Sequence, residues 1–177
     1  MTNLYSMVSF SDYNKLKHYE FITELFLEAF PDYNMHEIER CLNLTEEGIL
    51  SCTIINYEGN PAGFMFFRKY DKFSYCEYIA VSGKYRGKSI APSLINHVCG
   101  EGEQWIFEIE TGCGGAVCEA RVRMMEKTGF VHNRYPYHMP REEEINSSAR
   151  FELWSRFPLS QERFNEVVRT LRSDKYF

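Results

Sequence analysis

The stretch Lys84-Tyr85-Arg86-Gly87-Lys88-Ser89-Ile90-Ala91-Pro92 joins a strand-like apolar run, Cys76–Val81, to a helix-like one, Ser93–Val98. A helix N-terminus carries up to four backbone N–H groups without intrahelical partners, at the positive end of the helix dipole. Such an end is a ready anion site, and pyrophosphate is a usual guest. Gly87 allows close backbone approach. Ser89 and Ala91 keep the turn uncrowded, Ser89 adds a hydroxyl donor, and Arg86 and Lys88 add positive charge. These residue types point to a phosphate cradle, with an ordinary strand-to-helix turn as the competing reading. The loop lacks the Gly-x-x-x-x-Gly-Lys-Ser/Thr pattern of the common nucleotide loop.

Other chemistries find less support. The six cysteines, at 41, 52, 76, 99, 113 and 118, form no CxxC, and no Cys and His spacing suits zinc, so no metal is expected. The opening "MTNLYSMVSF" has no basic region followed by an apolar stretch and reads as lacking a signal peptide. A cytoplasmic location with free thiols is the resulting expectation. No apolar run approaches the roughly 20 residues of a membrane helix, so no membrane partner is expected. A net charge of -5 argues against nucleic-acid binding, which needs a basic footprint.

The loop must be held by a fold. The 177 residues, 44% hydrophobic and 25% charged, suit one soluble globular domain over 1–177. Aromatics reach 16%, and part of that excess reads as pocket lining. A short strand is expected near Leu4–Ser9. Phe21, Ile22, Leu25, Phe26 and Ala29 then share a helix face that Pro31 ends. Ile38, Cys41 and Leu42 mark a second helix. Ile49–Tyr57, Ala62–Lys69 and Phe73–Val81, joined by short turns, predict an antiparallel meander.

After the meander the period changes. Ile90, Leu94, Ile95 and Val98 are helical, with Pro92 in the tolerant first turn. "QWIFEIET" reads as a strand, and "VCEARVRMMEKTG" as a helix stopped by Gly129. A strand-helix-strand crossover joins parallel strands, so the expected α/β (α+β) sheet is mixed but mostly antiparallel, with flanking helices. Two strand-like pieces, "VHNRYPYHM" and "RFELWSRF", and a last helix capped by Ser160 complete the domain over about 131–173.

"IAVSGKYRGKSIAPSLINHV" resembles the acetyl-CoA signature of the GCN5-related N-acetyltransferases (GNAT), Arg/Gln-x-x-Gly-x-Gly/Ala between a strand and a helix. Arg86, Ser89 and Ala91 fill the three defined positions, with Ser89 standing where the family has Gly. "RMMEKTGF" is similar to the family's helix ending "lYeklGF", and "LFLEAFP" to the opening of its first helical region. The specific motifs cover about Tyr78–Val98 and Arg123–Phe130.

The resemblance implies the GNAT fold and acetyl-CoA (coenzyme A) as cofactor. It implies direct attack on the thioester by an amine of a small molecule or peptide, in a ternary complex. The loop Arg86, Gly87, Lys88, Ser89, Ile90 and Ala91 would hold the pyrophosphate. Ile79, Ala80 and Val81 would pair with the pantetheine as an added strand does, and their backbone would steady the developing oxyanion. Cys118 falls where the family places an Asn against the cofactor. Glu77, nine positions before Arg86, matches a base or water-binding position; Tyr75, Glu77 and Ile79 are expected on one strand face. The family's Tyr in "lYeklGF" is replaced by Met125, so either the thiolate leaves unaided or another Tyr, Tyr135 or Tyr137, serves as the acid, with Tyr137 the candidate. Phe30, Tyr33, Tyr75 and Tyr135 are the candidate acceptor contacts, and Glu142, Glu143 and Glu144 could attract a cationic amine. The chain is expected as a monomer or homodimer. The alternative is a GNAT-fold acyl-CoA binding or regulatory module with little or no transferase activity, which the departures at Ser89, Cys118 and Met125 keep open.

Overall fold

The computed structural model describes residues 7–111, 115–138 and 150–174. The chain groups into two compact units, Met1–Gly102 and Glu103–Phe177.

The first unit begins with β1 (Val8–Asp12), α1 (Lys15–Ala29) and α2 (Met35–Glu46). It continues with β2 (Ser51–Tyr57), β3 (Asn60–Lys69), β4 (Ser74–Val81), a 3-10 turn (Gly83–Tyr85) and α3 (Ile90–Val98). β1 through β4 pair antiparallel in chain order, as the meander pattern requires. The first strand lies later than expected, and residues 4–6 fall outside the described residues.

Cross-strand partners share a sheet face, so the register separates two faces. Ile54, Phe64, Phe66 and Tyr78 lie on one face. Phe26 of α1 meets it, with its ring 6.2 Å from Phe64 and 4.8 Å from Tyr78. Phe10, Ile55, Gly63 and Val81 lie on the other. There α3 brings His97 flat against Phe10, with ring centroids 3.7 Å apart. Gly63 is obligatory, because a Cβ there would sit 2.6 Å from the Ala80 carbonyl oxygen. α2 starts cleanly: the Asn34 side chain accepts the His36 N–H at 3.0 Å.

The second unit holds β5 (Trp105–Glu110), α4 (Ala116–Lys127), β6 (Val131–His132), β7 (Phe151–Ser155) and α5 (Gln161–Ser173). β7 pairs antiparallel with both β5 and β6. Its core is Trp105, Phe107, Met125, Phe130, Leu153, Phe164 and Leu171, all buried. Ser160 caps α5 as expected, accepting the Arg163 N–H at 3.3 Å. Among the described residues, no helix is long and apolar enough to cross a membrane.

Candidate active site

The loop after β4 has the form its residues predict. Arg86 N–H turns back to the Gly83 carbonyl at 3.3 Å, closing the 3-10 turn. Gly87 and Ser89 then both have left-handed backbones, with φ of 78° and 56°. The first backbone bond into α3 runs from Ser93 N–H to Ser89 C=O at 3.1 Å. The first-turn amides of Ile90 and Ala91 therefore have no intrahelical acceptor, and Pro92 has no N–H to satisfy. Among the described residues, no protein acceptor meets the amides of Gly87, Lys88 or Ser89. Successive amides in alternating backbone conformations form an anion-binding concavity, so the loop fits a pyrophosphate by its backbone.

The two cations play smaller parts. Arg86 is exposed and lies 3.6 Å from the Glu28 carboxylate. Lys88 reaches sideways over the Tyr57 ring, 4.5 Å from its centroid. Ser89 occupies a conformation in which an ordinary residue is strained by roughly 1–2 kcal/mol, which is the physical reason for glycine at that position in the signature.

β4 departs from regular alternation at Glu77. Phe66 pairs with Tyr78 and Phe67 with Cys76, so Glu77 is an extra residue, a β-bulge. Tyr75, Glu77 and Tyr78 thus share the face that carries Phe66 and Arg68, while Ile79 pairs with Met65 and points to the other. The expectation that Tyr75, Glu77 and Ile79 share a face therefore fails at Ile79, because the bulge resets the pleat.

The Glu77 side chain is only 3% exposed, and guanidinium groups occupy both its oxygens. Arg40 NH2 lies at 2.9 Å from one and Arg68 NH2 at 2.8 Å from the other. Arg40 also grips Glu37 through Nε at 3.1 Å and NH2 at 2.8 Å. Burial works against the Arg40 charge, but the Glu37 hydrogen bond and the Cys41, Glu77 and Glu37 charges outweigh it, so its pKa is raised. In this arrangement both Glu77 oxygens are committed to ion pairs.

Beside this cluster, the Tyr78 hydroxyl donates to Glu37 Oε1 at 2.8 Å. Phe30 and Tyr33, the expected acceptor contacts, set their rings nearly perpendicular to Tyr78 at 5.1 and 5.5 Å. Tyr75 is buried at 2% exposure. Sequence reasoning missed Glu37, Arg40, Arg68 and Tyr78. The available signal was Glu37 and Arg40 one helical turn apart on an otherwise apolar α2 face, with Arg68 inside a run of buried aromatics.

In the second unit, the Tyr137 hydroxyl donates to Glu108 of β5, and its ring stands edge-on to Phe164. The Tyr135 hydroxyl donates to the Leu159 carbonyl at 3.1 Å. Met125 is fully buried. Cys118 lines a cleft of about 420 Å³ with Thr111, Gly115, Glu119, Val122 and Arg123. It is disulfide-bonded, which overturns the expectation of free thiols at this position, while Cys41, Cys52, Cys76 and Cys99 are free. A disulfide sulfur has no proton to donate, so Cys118 cannot replace an Asn N–H. Cys113, Glu142, Glu143 and Glu144 lie outside the described residues.

The model of the acetyltransferase (GNAT) family matches residues 16–130, which include β4, the loop and α4. The chain belongs to the GNAT family. Solved structures carry the same fold. A GNAT-family protein from Bacteroides thetaiotaomicron superposes with a TM-score of 0.76 at 22% identity, covering 95% of this chain and 98% of its own. A GNAT acetyltransferase from Elizabethkingia anophelis, solved with acetyl-CoA bound, gives 0.63 at 12% identity, covering 84% and 96%. Arabidopsis thaliana Naa50, solved with the bisubstrate analogue CoA-Ac-MVNAL, gives 0.61 at 18% identity, covering 84% and 97%. No curated protein matches the chain in sequence. The matched range of this GNAT protein includes the loop Arg86–Ala91.

Proposed function

We propose that this GNAT protein is an acetyl-CoA-dependent N-acetyltransferase, transferring the acetyl group to an amine of a small molecule or peptide within a single catalytic domain. The observation that carries the reading is the loop Arg86–Ala91, where the amides of Gly87 through Ala91 meet no protein acceptor among the described residues at the head of α3. The acetyl-CoA bound to the Elizabethkingia anophelis relative and the CoA-peptide analogue bound to the Arabidopsis one support the same cosubstrate here.

The cofactor supplies an activated thioester carbonyl. The protein's share of the chemistry is positional. Amides from Gly87 to Ala91 take the pyrophosphate, with Arg86 and Lys88 assisting. The backbone of Ile79, Ala80 and Val81 would pair with the pantetheine amides and steady the carbonyl oxygen as charge develops there. Cys118 contributes packing to the cofactor side. The acceptor amine would lie against Phe30, Tyr33 and Tyr75 of the first unit. Tyr137, whose proton the Glu108 carboxylate accepts here, would have to turn that proton from Glu108 to the sulfur to act as the acid; a thiolate with a thiol pKa near 8.5 would otherwise leave unaided.

The second reading is an acyl-CoA binding module without transfer. It is favoured by the sealed Glu77 carboxylate and by the buried Met125 at the family's Tyr position. Thiol release from acetyl-CoA in the presence of an amine panel separates the two. Amine-dependent release with a matching acetylated product supports the enzyme; tight CoA binding without any release supports the module.

A further inference from the structure

We infer that the cleft between the start of α1 and the β1–β2 edge of the sheet binds a small organic monocarboxylate that carries a hydroxyl or amino group of its own. This site is separate from the acetyl-transfer reading and holds whether or not that reading does.

The cleft encloses about 420 Å³ and has polar walls on both sides. Ser9 and Ser11 of β1 and Asn56 of β2 form the sheet wall. Ser9 pairs with Asn56 and Ser11 with Ile54, so all three point to the face that α1 covers. Lys17 and His18 of α1, with Asn14 just before it, form the other wall. The cofactor loop lies on the opposite face: Tyr57, one residue beyond Asn56 and facing the other way, meets the ring of Tyr85 at 5.5 Å.

His18 points to a ligand. Its residue lines the cleft yet is only 7% exposed. Nδ1 accepts the Asn14 amide at 3.0 Å, so the proton of the neutral ring is on Nε2. Among the described residues, Nε2 meets no protein acceptor. Buried polar groups are nearly always paired, so this N–H calls for an acceptor from within the cleft. Burial, then the Lys17 charge, lowers the His18 pKa, which keeps the ring a neutral donor.

The other groups select the class of molecule. Lys17 is the single cation lining the cleft and has no ion-pair partner among the described residues. Asn56 Nδ2 donates to Ser11 Oγ at 3.4 Å, which leaves the Ser11 proton to donate onward and the Asn56 oxygen to accept. The Asn14 side chain caps no amide of α1. Asp12 also lines the cleft, but alternation sends its carboxylate to the face of Thr53 and Met65, away from α1. One ammonium beside neutral N–H and O–H donors suits a single carboxylate. The Asn56 oxygen then suits a hydroxyl or amino group on the same molecule.

The test titrates the full chain with lactate and with serine, beside acetate and inorganic phosphate. The readouts are the thermal midpoint and the His18 ring nitrogen resonances, assigned by their loss in His18→Gln. Lys17→Met is compared with Lys15→Met; both lysines are exposed, and Lys15 pairs with Glu46 outside the cleft. Lactate or serine should shift the His18 resonances saturably and raise the midpoint. Acetate, lacking the second group, should bind more weakly. Lys17→Met should weaken lactate and serine about tenfold, the scale of one charge-assisted hydrogen bond. Lys15→Met should stay within about twofold of wild type. Saturating CoA should leave the affinity unchanged. The site is overturned if neither lactate nor serine moves the His18 resonances, which would make the cleft a solvent-filled one. It is also overturned if Lys17→Met binds as wild type does, or if CoA competes and so places the carboxylate at the cofactor loop. Phosphate binding more tightly than lactate and serine, or acetate binding as tightly as they do, would overturn the class of ligand assigned.

Discussion

The Glu77 carboxylate lies 2.9 Å from the Arg40 guanidinium, joining β4 to a helix 37 residues earlier in the chain. Arg68 closes on its other oxygen at 2.8 Å. Removing one partner of such a buried set leaves an uncompensated charge. Arg68→Met should therefore cost about 3–5 kcal/mol of stability. Urea unfolding measures it, and a loss under about 1 kcal/mol would show that solvent, not Arg68, satisfies Glu77.

Ser89 carries a side chain at a φ of 56°. Ser89→Gly relieves the left-handed backbone but frees the unfolded chain, so the net gain should be a few tenths of a kcal/mol to about 1 kcal/mol. CoA affinity should be retained. Ser89→Val, branched at Cβ where the backbone is already strained, should weaken CoA about tenfold. Calorimetry on both variants checks this, and an unchanged affinity in the Val variant would move the pyrophosphate elsewhere.

Tyr13 sits with its hydroxyl buried and without a hydrogen-bond partner among the described residues. Burial pushes its pKa up to about 12, with Glu46, Cys52 and Tyr19 adding to the shift. The unfolded chain loses that proton near pH 10 while the folded one keeps it. Stability should therefore fall between about pH 10 and 12. Tyr13→Phe should flatten this fall and cost little at pH 7. Unfolding curves at pH 7 and pH 11 decide it; a variant with the wild-type alkaline slope would contradict the assignment.

His18 accepts the Asn14 N–H at Nδ1, 3.0 Å away, and is buried. Burial, then Lys17, lowers its pKa. A histidine kept neutral in the fold binds its proton more readily once unfolded. Stability should then decline as pH falls below about 6.5. In His18→Gln that slope should shrink, read from unfolding free energies at pH 7.5 and 5.5. An unchanged slope would assign it to other groups.

Much of the first unit was legible because its signals are local. The period of Ile90, Leu94, Ile95 and Val98 announced α3, and "EGNP" announced the β2–β3 turn. The shape of the loop was legible because it depends on residue size and backbone freedom, which Gly87, Ser89 and Ala91 state directly. The bulge at Glu77 was not, since an extra residue in a strand leaves no mark on composition or period. Counting by two from Tyr75 consequently misplaced Ile79. Glu37 and Arg40 were hidden for a related reason: a charge on a helix reads as solvent-facing until a distant strand supplies its partner. The Cys118 disulfide was masked by the inference from compartment, which assumed reduced thiols.

CoA thiol release from acetyl-CoA with a panel of primary amines, followed together with product mass, decides whether the protein transfers acetyl groups. Acetyl transfer gives release that depends on the amine and a product about 42 Da heavier, the mass of an acetyl group replacing a hydrogen. Saturable CoA binding with no acetylated amine across the panel would contradict it.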